Sequence, residues 1–169
     1  MSPQPIRILG IDPGLRNMGW GVVEQAGSHL TFVACGSLHS QATQTSAQRL
    51  RQLHEGLAAV IATYGPHEAA VEETFVNRDP QSALKLGLAR GIALVVPALS
   101  GLPVAEYAAN VVKKTVVGAG HAQKEQVAMM VKILLPKSDA QTADASDALA
   151  IAITHAQHRG ALTARARLA

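Results

Sequence analysis

At 169 residues the chain has the length of one ordinary domain, and its 48% hydrophobic content can supply a substantial core, which excludes global disorder. A single cysteine, Cys35, excludes an internal disulfide and a cysteine-based zinc site. The N-terminus has no signal pattern and no uninterrupted apolar run approaches about 20 residues, so we expect a cytoplasmic protein without a membrane span. The formal net charge of +3 is mild, so the distribution of charge matters more than its size.

The first half of the chain predicts a three-stranded meander followed by a helix. Residues 6–12 are short, apolar and β-branched and end at Pro13-Gly14, and residues 18–24 and 30–38 have a similar strand character. The short connection between the last two segments favours antiparallel pairing. After the capping candidates Thr45 and Ser46, aliphatic residues recur at helical spacing at positions 50, 53, 57 and 61.

The second half alternates short strands with helices. We predict strands at residues 69–73 and 104–107 and helices at residues 80–98, 122–135 and 142–158. This alternation favours an α/β domain with a mixed central sheet and helices packed on its faces. We therefore expect one domain over residues 1–158, followed by a basic tail, residues 159–169, that is a candidate for disorder.

Two glycines interrupt the predicted helix 80–98. Gly87 and Gly91 each cost about 1 kcal/mol relative to alanine inside a helix, so a close neighbour is expected at this position. The neighbouring sheet and a second subunit are both candidates.

Three carboxylates stand at the ends of predicted strands. Asp12 ends the first strand at a Pro-Gly turn, and Glu72 and Glu73 end the strand 69–73. Taken singly, each is better explained by an ordinary turn or a solvated strand end than by a function.

The pair Asp144 and Asp147 is less easily explained by structure alone. These residues lie three apart on a predicted helix, so they share a face, which continues to Ala148 and Ile151. Two carboxylates on a stripe that faces the core repel each other and lose hydration. Helix capping would explain one of them, but not both, so the pattern favours a shared cation site.

The strand-end and helix carboxylates can converge on one point in a mixed sheet. Two Mg²⁺ or Mn²⁺ ions about 3.5–4 Å apart require oxygen ligands of this kind, and such a pair cuts phosphodiesters by activating water and stabilising the leaving oxygen. The segment 110–137 carries five lysines against one acid, Glu125, which suits a polyanionic substrate. Solvated helix faces explain Lys132 and Lys137 equally well.

Six motifs in order resemble the RuvC family of Holliday-junction resolvases: ILGIDPG (8–14), AVE (70–72), SALKLG (82–87), ARG (89–91), KKTVVG (113–118) and ADASDALAIA (143–152). The resemblance implies an RNase H-like fold, a five-stranded mixed sheet with helices on both faces. It implies a metal-dependent endonuclease of homologous recombination and DNA repair that makes paired symmetric nicks in four-way junctions. The products would be 5′-phosphate and 3′-hydroxyl ends.

The resemblance also assigns roles to single residues. The catalytic metal ligands, for two Mg²⁺ or Mn²⁺ ions, are the four acids Asp12, Glu72, Asp144 and Asp147. Two lysines, Lys113 and Lys124, are implied to bind phosphate or to neutralise charge in the transition state.

Further contacts follow from the same resemblance. Lys114 joins the two catalytic lysines as a candidate DNA contact, and Phe75 would stack on junction bases, although core packing is the ordinary role of phenylalanine. The helix with Gly87 and Gly91 would form the interface of a homodimer. The RuvA and RuvB branch-migration proteins would be partners.

Two other functions remain open from the sequence. One is an RNase H-like nuclease for RNA–DNA hybrids or single strands. The other is a junction-binding protein without catalysis, which four carboxylates beside DNA disfavour unless metals neutralise them.

Overall fold

The computed structural model describes residues 4–73 and 79–166, with side chains as far as residue 160. Within these ranges the strands are β1 (Ile6–Asp12), β2 (Asn17–Ala26), β3 (His29–His39), β4 (Glu68–Glu73) and β5 (Val104–Ala108). They form one sheet in the order β3-β2-β1-β4-β5. The first three strands are antiparallel, and β4 and β5 run parallel to β1. The predicted meander and mixed five-stranded sheet are confirmed.

The helices of the described residues are α1 (Ser46–Tyr64), α2 (Pro80–Leu99), α3 (Ala109–Val117), α4 (Lys124–Leu134) and α5 (Ala143–Ala166). Thr45 caps α1 by accepting a hydrogen bond from the Gln48 amide, as its sequence position suggested. Helix α3 was not predicted. It has only nine residues, several of them β-branched, and it follows β5 without an intervening turn, so it carries few of the usual helix signals.

Two hydrophobic cores lie on opposite faces of the sheet. Because side chains alternate along a strand, Ile8 faces the core under α3, α4 and α5, whereas Leu9 faces the core under α1 and α2. Both side chains are fully buried. Helices therefore cover both faces, as predicted.

Glycines in β1 and β2 allow α5 to lie unusually close to the sheet. A Cβ on Gly10 would stand 2.1 Å from the Ala148 carbonyl oxygen, and one on Gly19 would stand 2.0 Å from the Asp144 carbonyl oxygen. Any side chain at either position would force the helix away. These glycines thus fix the height of Asp144 above the sheet.

Helix α5 continues beyond the expected domain end. It is helical as far as Ala166, which includes residues 159–166 of the basic tail that we considered a candidate for disorder. Arg159 is held there because its guanidinium group binds the Glu68 carboxylate, with Nε 3.0 Å from Oε2. Residues 167–169 lie outside the described part.

Helix α2 leaves an apolar stripe outside both cores. Its large exposed side chains are Leu84, Leu88, Val95 and Leu99. Gly87 and Gly91 share this exposed side, and a Cβ built on either meets no atom of the described chain within 4 Å. The sheet therefore does not explain the two glycines.

By length and composition, α2 could also cross a membrane. Its mean hydropathy is 1.5 over the tested window, of which 22% is buried. A single helix of this kind is weak support for a span, and α2 also carries Lys85 and Arg90, the latter ion-paired with Glu106 of β5.

Candidate active site

Carboxylates from three distant parts of the chain meet at one end of the sheet. Asp12 ends β1, Glu72 lies near the end of the parallel strand β4, and Asp144 and Asp147 stand in the first turns of α5. Parallel strands present their carboxyl ends at the same edge, and the tight packing of α5 on Gly10 and Gly19 brings its beginning over that edge.

Strand alternation separates Glu72 from Glu73. Glu72 lies on the same face as Ala70, which belongs to the core under α5, whereas Glu73 lies on the face of Val71, in the opposite core. Glu72 lines the cavity that contains Asp12 and Asp147. The two adjacent glutamates therefore point to opposite sides of the sheet.

The four carboxylates repel one another in the metal-free protein. Burial, together with the charges of Asp147, Glu72 and Asp144, raises the pKa of Asp12 to about 8, against an opposing effect of Lys124. At neutral pH the metal-free site therefore holds a proton on Asp12.

Glu72 and Asp147 experience the same environment. Burial raises the pKa of both, the Asp147 charge adds to the effect on Glu72, and the nearby lysines oppose it in each case. Perturbed carboxylates gathered in one cleft are typical of functional sites, because the fold gains no stability from their mutual repulsion.

Two lysines border the cluster. Lys124, the first residue of α4, places Nζ 3.5 Å from Asp147 Oδ2, and Lys113 of α3 lines the same cavity. The Lys124 side chain is 77% exposed, so its ammonium group can leave Asp147 at little cost. Lys114, the next residue of α3, is exposed and does not line this cavity.

The cavity has a volume of about 280 Å³. Three of the carboxylates form its polar side, and apolar residues of α3 and α4 form its other wall. A larger hollow of about 400 Å³ lies between α4 and the loop before α5, but it contains none of the four carboxylates. The chemistry therefore favours the smaller cavity as the active site.

The donor set fits hard divalent cations. Carboxylate oxygens are the preferred ligands of Mg²⁺ and Mn²⁺, and cations would relieve the repulsion that raises the pKa of Asp12. As they stand, no three His, Cys, Asp or Glu side chains in the described residues are close enough to hold an ion. Binding would draw the carboxylates together.

The remaining candidates from the sequence are Phe75, Gly87 and Gly91. Phe75 falls in segment 74–78, outside the described residues. Gly87 and Gly91 lie on the exposed side of α2, which packs against the sheet face opposite α5.

Sequence reasoning missed a second polar cluster, which lies midway along α5 and at the beginning of β4. His155 Nε2 lies 2.7 Å from Glu68 Oε2, and Tyr107 Oη lies 2.8 Å from His155 Nδ1. Since the Glu68 carboxylate accepts from Nε2–H, Nδ1 accepts from the Tyr107 hydroxyl. With Arg159 also bound to Glu68, this cluster fixes α5 against β4 and β5. An isolated histidine in an apolar helix was the only signal for it.

Comparison with known proteins identifies the family. The family model described as crossover junction endodeoxyribonuclease RuvC matches residues 8–155. A relative of that name from Methylocella silvestris is 72% identical, over 94% of this chain and 90% of its own length. One from Beijerinckia indica is 73% identical, over 94% and 91%.

Solved structures agree with this result. RuvC of Thermus thermophilus in complex with a Holliday junction substrate has a TM-score of 0.86 and 34% identity, covering 94% of this chain and 97% of that one. The yeast mitochondrial Holliday junction resolvase has a TM-score of 0.65 at 14% identity, covering 94% and 82%, and supports the fold alone. The expected RNase H-like fold is confirmed. The chain belongs to the RuvC family of crossover junction endodeoxyribonucleases.

Proposed function

We propose that this chain cuts four-way DNA junctions by metal-dependent hydrolysis and acts in homologous recombination and DNA repair. The observation that carries the proposal is the carboxylate cluster: Asp12, Glu72 and Asp147 line an open cavity with two lysines, and the charge of Asp144 acts on Asp12. Structural roles do not account for mutually repelling carboxylates at this place. The family supplies the substrate class.

We assign the four carboxylates as ligands of two Mg²⁺ or Mn²⁺ ions. Such ions, when bound, supply a water of lowered pKa and neutralise charge on the phosphate and on the departing 3′ oxygen. Asp12 would release its proton in the loaded site, because a cation lowers the pKa that burial and the neighbouring carboxylates raise. The products are 5′-phosphate and 3′-hydroxyl ends.

The lysines contribute positive charge from the other wall of the cavity. Lys113 and Lys124 face the position of the scissile phosphate, where an ammonium group binds phosphate oxygens and stabilises charge that develops in the transition state. Lys124 exchanges Asp147 for phosphate when the substrate enters. Lys114 contacts the DNA backbone farther along α3, and Phe75 stacks on bases at the crossover.

The functional unit is a homodimer in this proposal. The exposed stripe of α2 is apolar, and at Gly87 and Gly91 it has room for the close approach of a second helix. Two active sites related by a two-fold axis can cut two strands of like polarity at symmetric positions. Gly91→Leu should weaken self-association in sedimentation experiments, and a wild-type monomer at assay concentrations would exclude the dimer.

We also place the protein in the cytoplasm, where it would act with the RuvA and RuvB branch-migration proteins. This part of the proposal rests on family membership.

Paired nicking of a synthetic mobile junction tests the central proposal. Intact duplex, RNA–DNA hybrid, flap and four-way junction are compared with and without Mg²⁺ or Mn²⁺. Two symmetric nicks in the junction, dependent on metal, are expected. Preferential cutting of the hybrid would indicate an RNase H-like activity instead, and binding without cutting in either metal would indicate a non-catalytic junction protein.

A further inference from the structure

Helix α3 brings Lys113 to the active-site cavity, although little within the helix fixes its position. It has nine residues, fewer than the roughly 12–15 that an isolated helix needs in water, and its N-cap residue, Ala108, makes no side-chain capping hydrogen bond. Val112 and Val116 pack it into the core under α5, but apolar contacts have no preferred direction. The position of Lys113 therefore depends on directional contacts between α3 and its neighbours.

A hydrogen bond joins the second half of α3 to α5. Thr115 Oγ1 lies 2.9 Å from His158 Nε2, and Thr115 is the second residue after Lys113. Both side chains are only partly exposed. A hydroxyl group can donate or accept a hydrogen bond, so this contact persists in either neutral tautomer of the histidine. Thr115 therefore fixes this part of α3 against α5.

Tyr107 fixes the beginning of the same helix. It is the second residue before α3, it is 8% exposed, and its hydroxyl donates to His155 Nδ1 at 2.8 Å. Its ring centroid also lies 5.8 Å from that of His158. Glu68 accepts from the other ring nitrogen of His155 and so holds the imidazole in one orientation. Helix α3 is therefore attached to α5 both at its beginning and in its second half.

The side of α5 that carries these histidines also carries the active-site acids. Asp147 precedes His158 by eleven residues, which is about three helical turns or roughly 16 Å. The same spacing separates Asp144 from His155, and residues three turns apart lie along one side of a helix. Burial raises the pKa of Asp147, whereas the charge of Lys113 opposes the rise, and both residues line the same cavity. Helix α5 thus sets the distance between Lys113 and the acids.

We propose that Thr115 and Tyr107 are positioning residues for Lys113. By holding α3 against the two histidines of α5, they keep the Lys113 ammonium group at the place where it meets the scissile phosphate. The inference rests on the proposed function and deepens it, because it takes Lys113 to act on that phosphate. Neither Thr115 nor Tyr107 lines the active-site cavity, so each should influence cleavage only through Lys113.

A double-mutant cycle tests this dependence on Lys113. Thr115→Val keeps the shape of the side chain but removes its hydroxyl, and it is made in the wild-type chain and in Lys113→Ala. Single-turnover cleavage of a four-way junction is measured in Mg²⁺, at saturating protein and well below the melting temperature. In the wild-type chain, Thr115→Val should slow cleavage by about threefold to 30-fold, since displacing a catalytic group by about 1 Å can cost about 100-fold. In Lys113→Ala the same change should alter the rate by less than about twofold.

Two variants separate positioning from a general loss of stability. Thr115→Ser keeps the hydroxyl and should cleave within about twofold of wild type. Thr154→Val is the matched control, because Thr154 is a buried threonine of α5 whose hydroxyl donates to the Ala150 carbonyl of the same helix at 2.8 Å. It removes a buried hydroxyl that has no contact with α3, so the cleavage rate should be unchanged.

Tyr107→Phe repeats the test at the other end of α3 and replaces it if Thr115→Val folds poorly. It removes only the hydroxyl that donates to His155. We expect the same pattern, with slower cleavage in the wild-type chain and no further loss in Lys113→Ala.

Several outcomes would overturn the proposal. They are an unchanged rate in Thr115→Val, an equal proportional loss in both backgrounds, and an equal loss in Thr154→Val. Where wild type nicks junctions and Lys113→Ala is slow, these outcomes reject this inference alone. A wild-type rate in Lys113→Ala would reject it together with the role assigned to Lys113, and a wild type that does not nick junctions would reject the proposed function itself.

Discussion

The two ends of β4, where it packs against α5, shift the pKa of a glutamate in opposite directions. At the start of β4, Glu68 accepts hydrogen bonds from Arg159 and His155 of α5. The Arg159 hydrogen bond, supported by His155, lowers the pKa of Glu68 in spite of burial. Near the end of β4, Glu72 faces Asp147 of the same helix, and burial together with that charge raises its pKa.

The difference shows which end of the strand stabilises the fold and which end does not. The Glu68 carboxylate is paired with Arg159 and His155 and thereby anchors α5. That anchor holds the other end of the helix in place, although its carboxylates repel those of the strands. At the active-site end, negative charge exceeds positive charge, and in the proposed function divalent cations neutralise the excess.

The largest expected effect is the loss of cleavage when single carboxylates of the active-site cluster are neutralised. Asp12→Asn, Glu72→Gln, Asp144→Asn and Asp147→Asn should each reduce metal-dependent junction nicking by more than about 100-fold, since even outer-shell partners of a metal are commonly worth 10–100-fold. Single-turnover cleavage at saturating enzyme measures the effect. Junction binding without metal should be unchanged or tighter, because each variant removes a negative charge near phosphate.

Glu73→Gln is the matched control, since Glu73 lies on the opposite face of the same strand. It should stay within a few-fold of wild type. A dead Glu73→Gln beside an active Glu72→Gln would mean that the register of this strand is misassigned.

Substitution in the Glu68 cluster should lower the stability of the fold instead. Glu68→Ala leaves Arg159 and His155 without their shared acceptor, and we expect a cost of about 1–3 kcal/mol in the free energy of unfolding, measured by urea denaturation. Glu24→Ala breaks a more exposed ion pair with Arg7 and should cost about 0–1 kcal/mol. Equal losses in the two variants would remove the distinction between the anchor and an ordinary surface pair.

Asp12→Asn should stabilise the metal-free protein as the pH rises. The folded state raises the pKa of Asp12 from 3.8 to about 8, so ionisation of wild type costs stability progressively between these values. Above pH 8 the variant should exceed wild type by roughly 1–3 kcal/mol, a figure discounted for the openness of the cavity, at about 1.4 kcal/mol per pKa unit. Denaturation in EDTA at pH 5 and pH 8.5 measures this, and a difference that does not depend on pH would contradict it.

The smallest effect is expected in mild acid. Burial lowers the pKa of His155 below 6.5, so the unfolded chain binds a proton there first and stability falls as the pH drops below about 6.5. Glu68, whose pKa is also lowered, adds to the loss at lower pH, as it becomes protonated. His155→Gln should flatten the pH dependence of the melting temperature between pH 7 and 5 by a few degrees. An unchanged curve would show that folding does not shift the pKa of His155.

Local patterns predicted much of this architecture. Short apolar runs indicated every strand, and the spacing of leucines together with Thr45 indicated α1, because these signals depend only on neighbours in sequence. Helix α3 was not predicted because it is held by Val112 and Val116 in the core under α5, and its N-cap residue makes no side-chain capping hydrogen bond. The extension of α5 escaped for a similar reason, since Arg159 is held by a strand 91 residues earlier in the chain.

The sequence by itself determined which acids could hold metal, which lysines accompany them and which helix carries the interrupting glycines. Only the tertiary structure decided that Glu72 and not Glu73 faces Asp147, that α2 leaves Gly87 and Gly91 uncovered, and that Glu68 binds His155 and Arg159. The physical reason is that residue type and local spacing fix chemistry and periodicity. The direction of a side chain and its charged neighbours depend on strand register and helix packing, which bring together residues far apart in sequence.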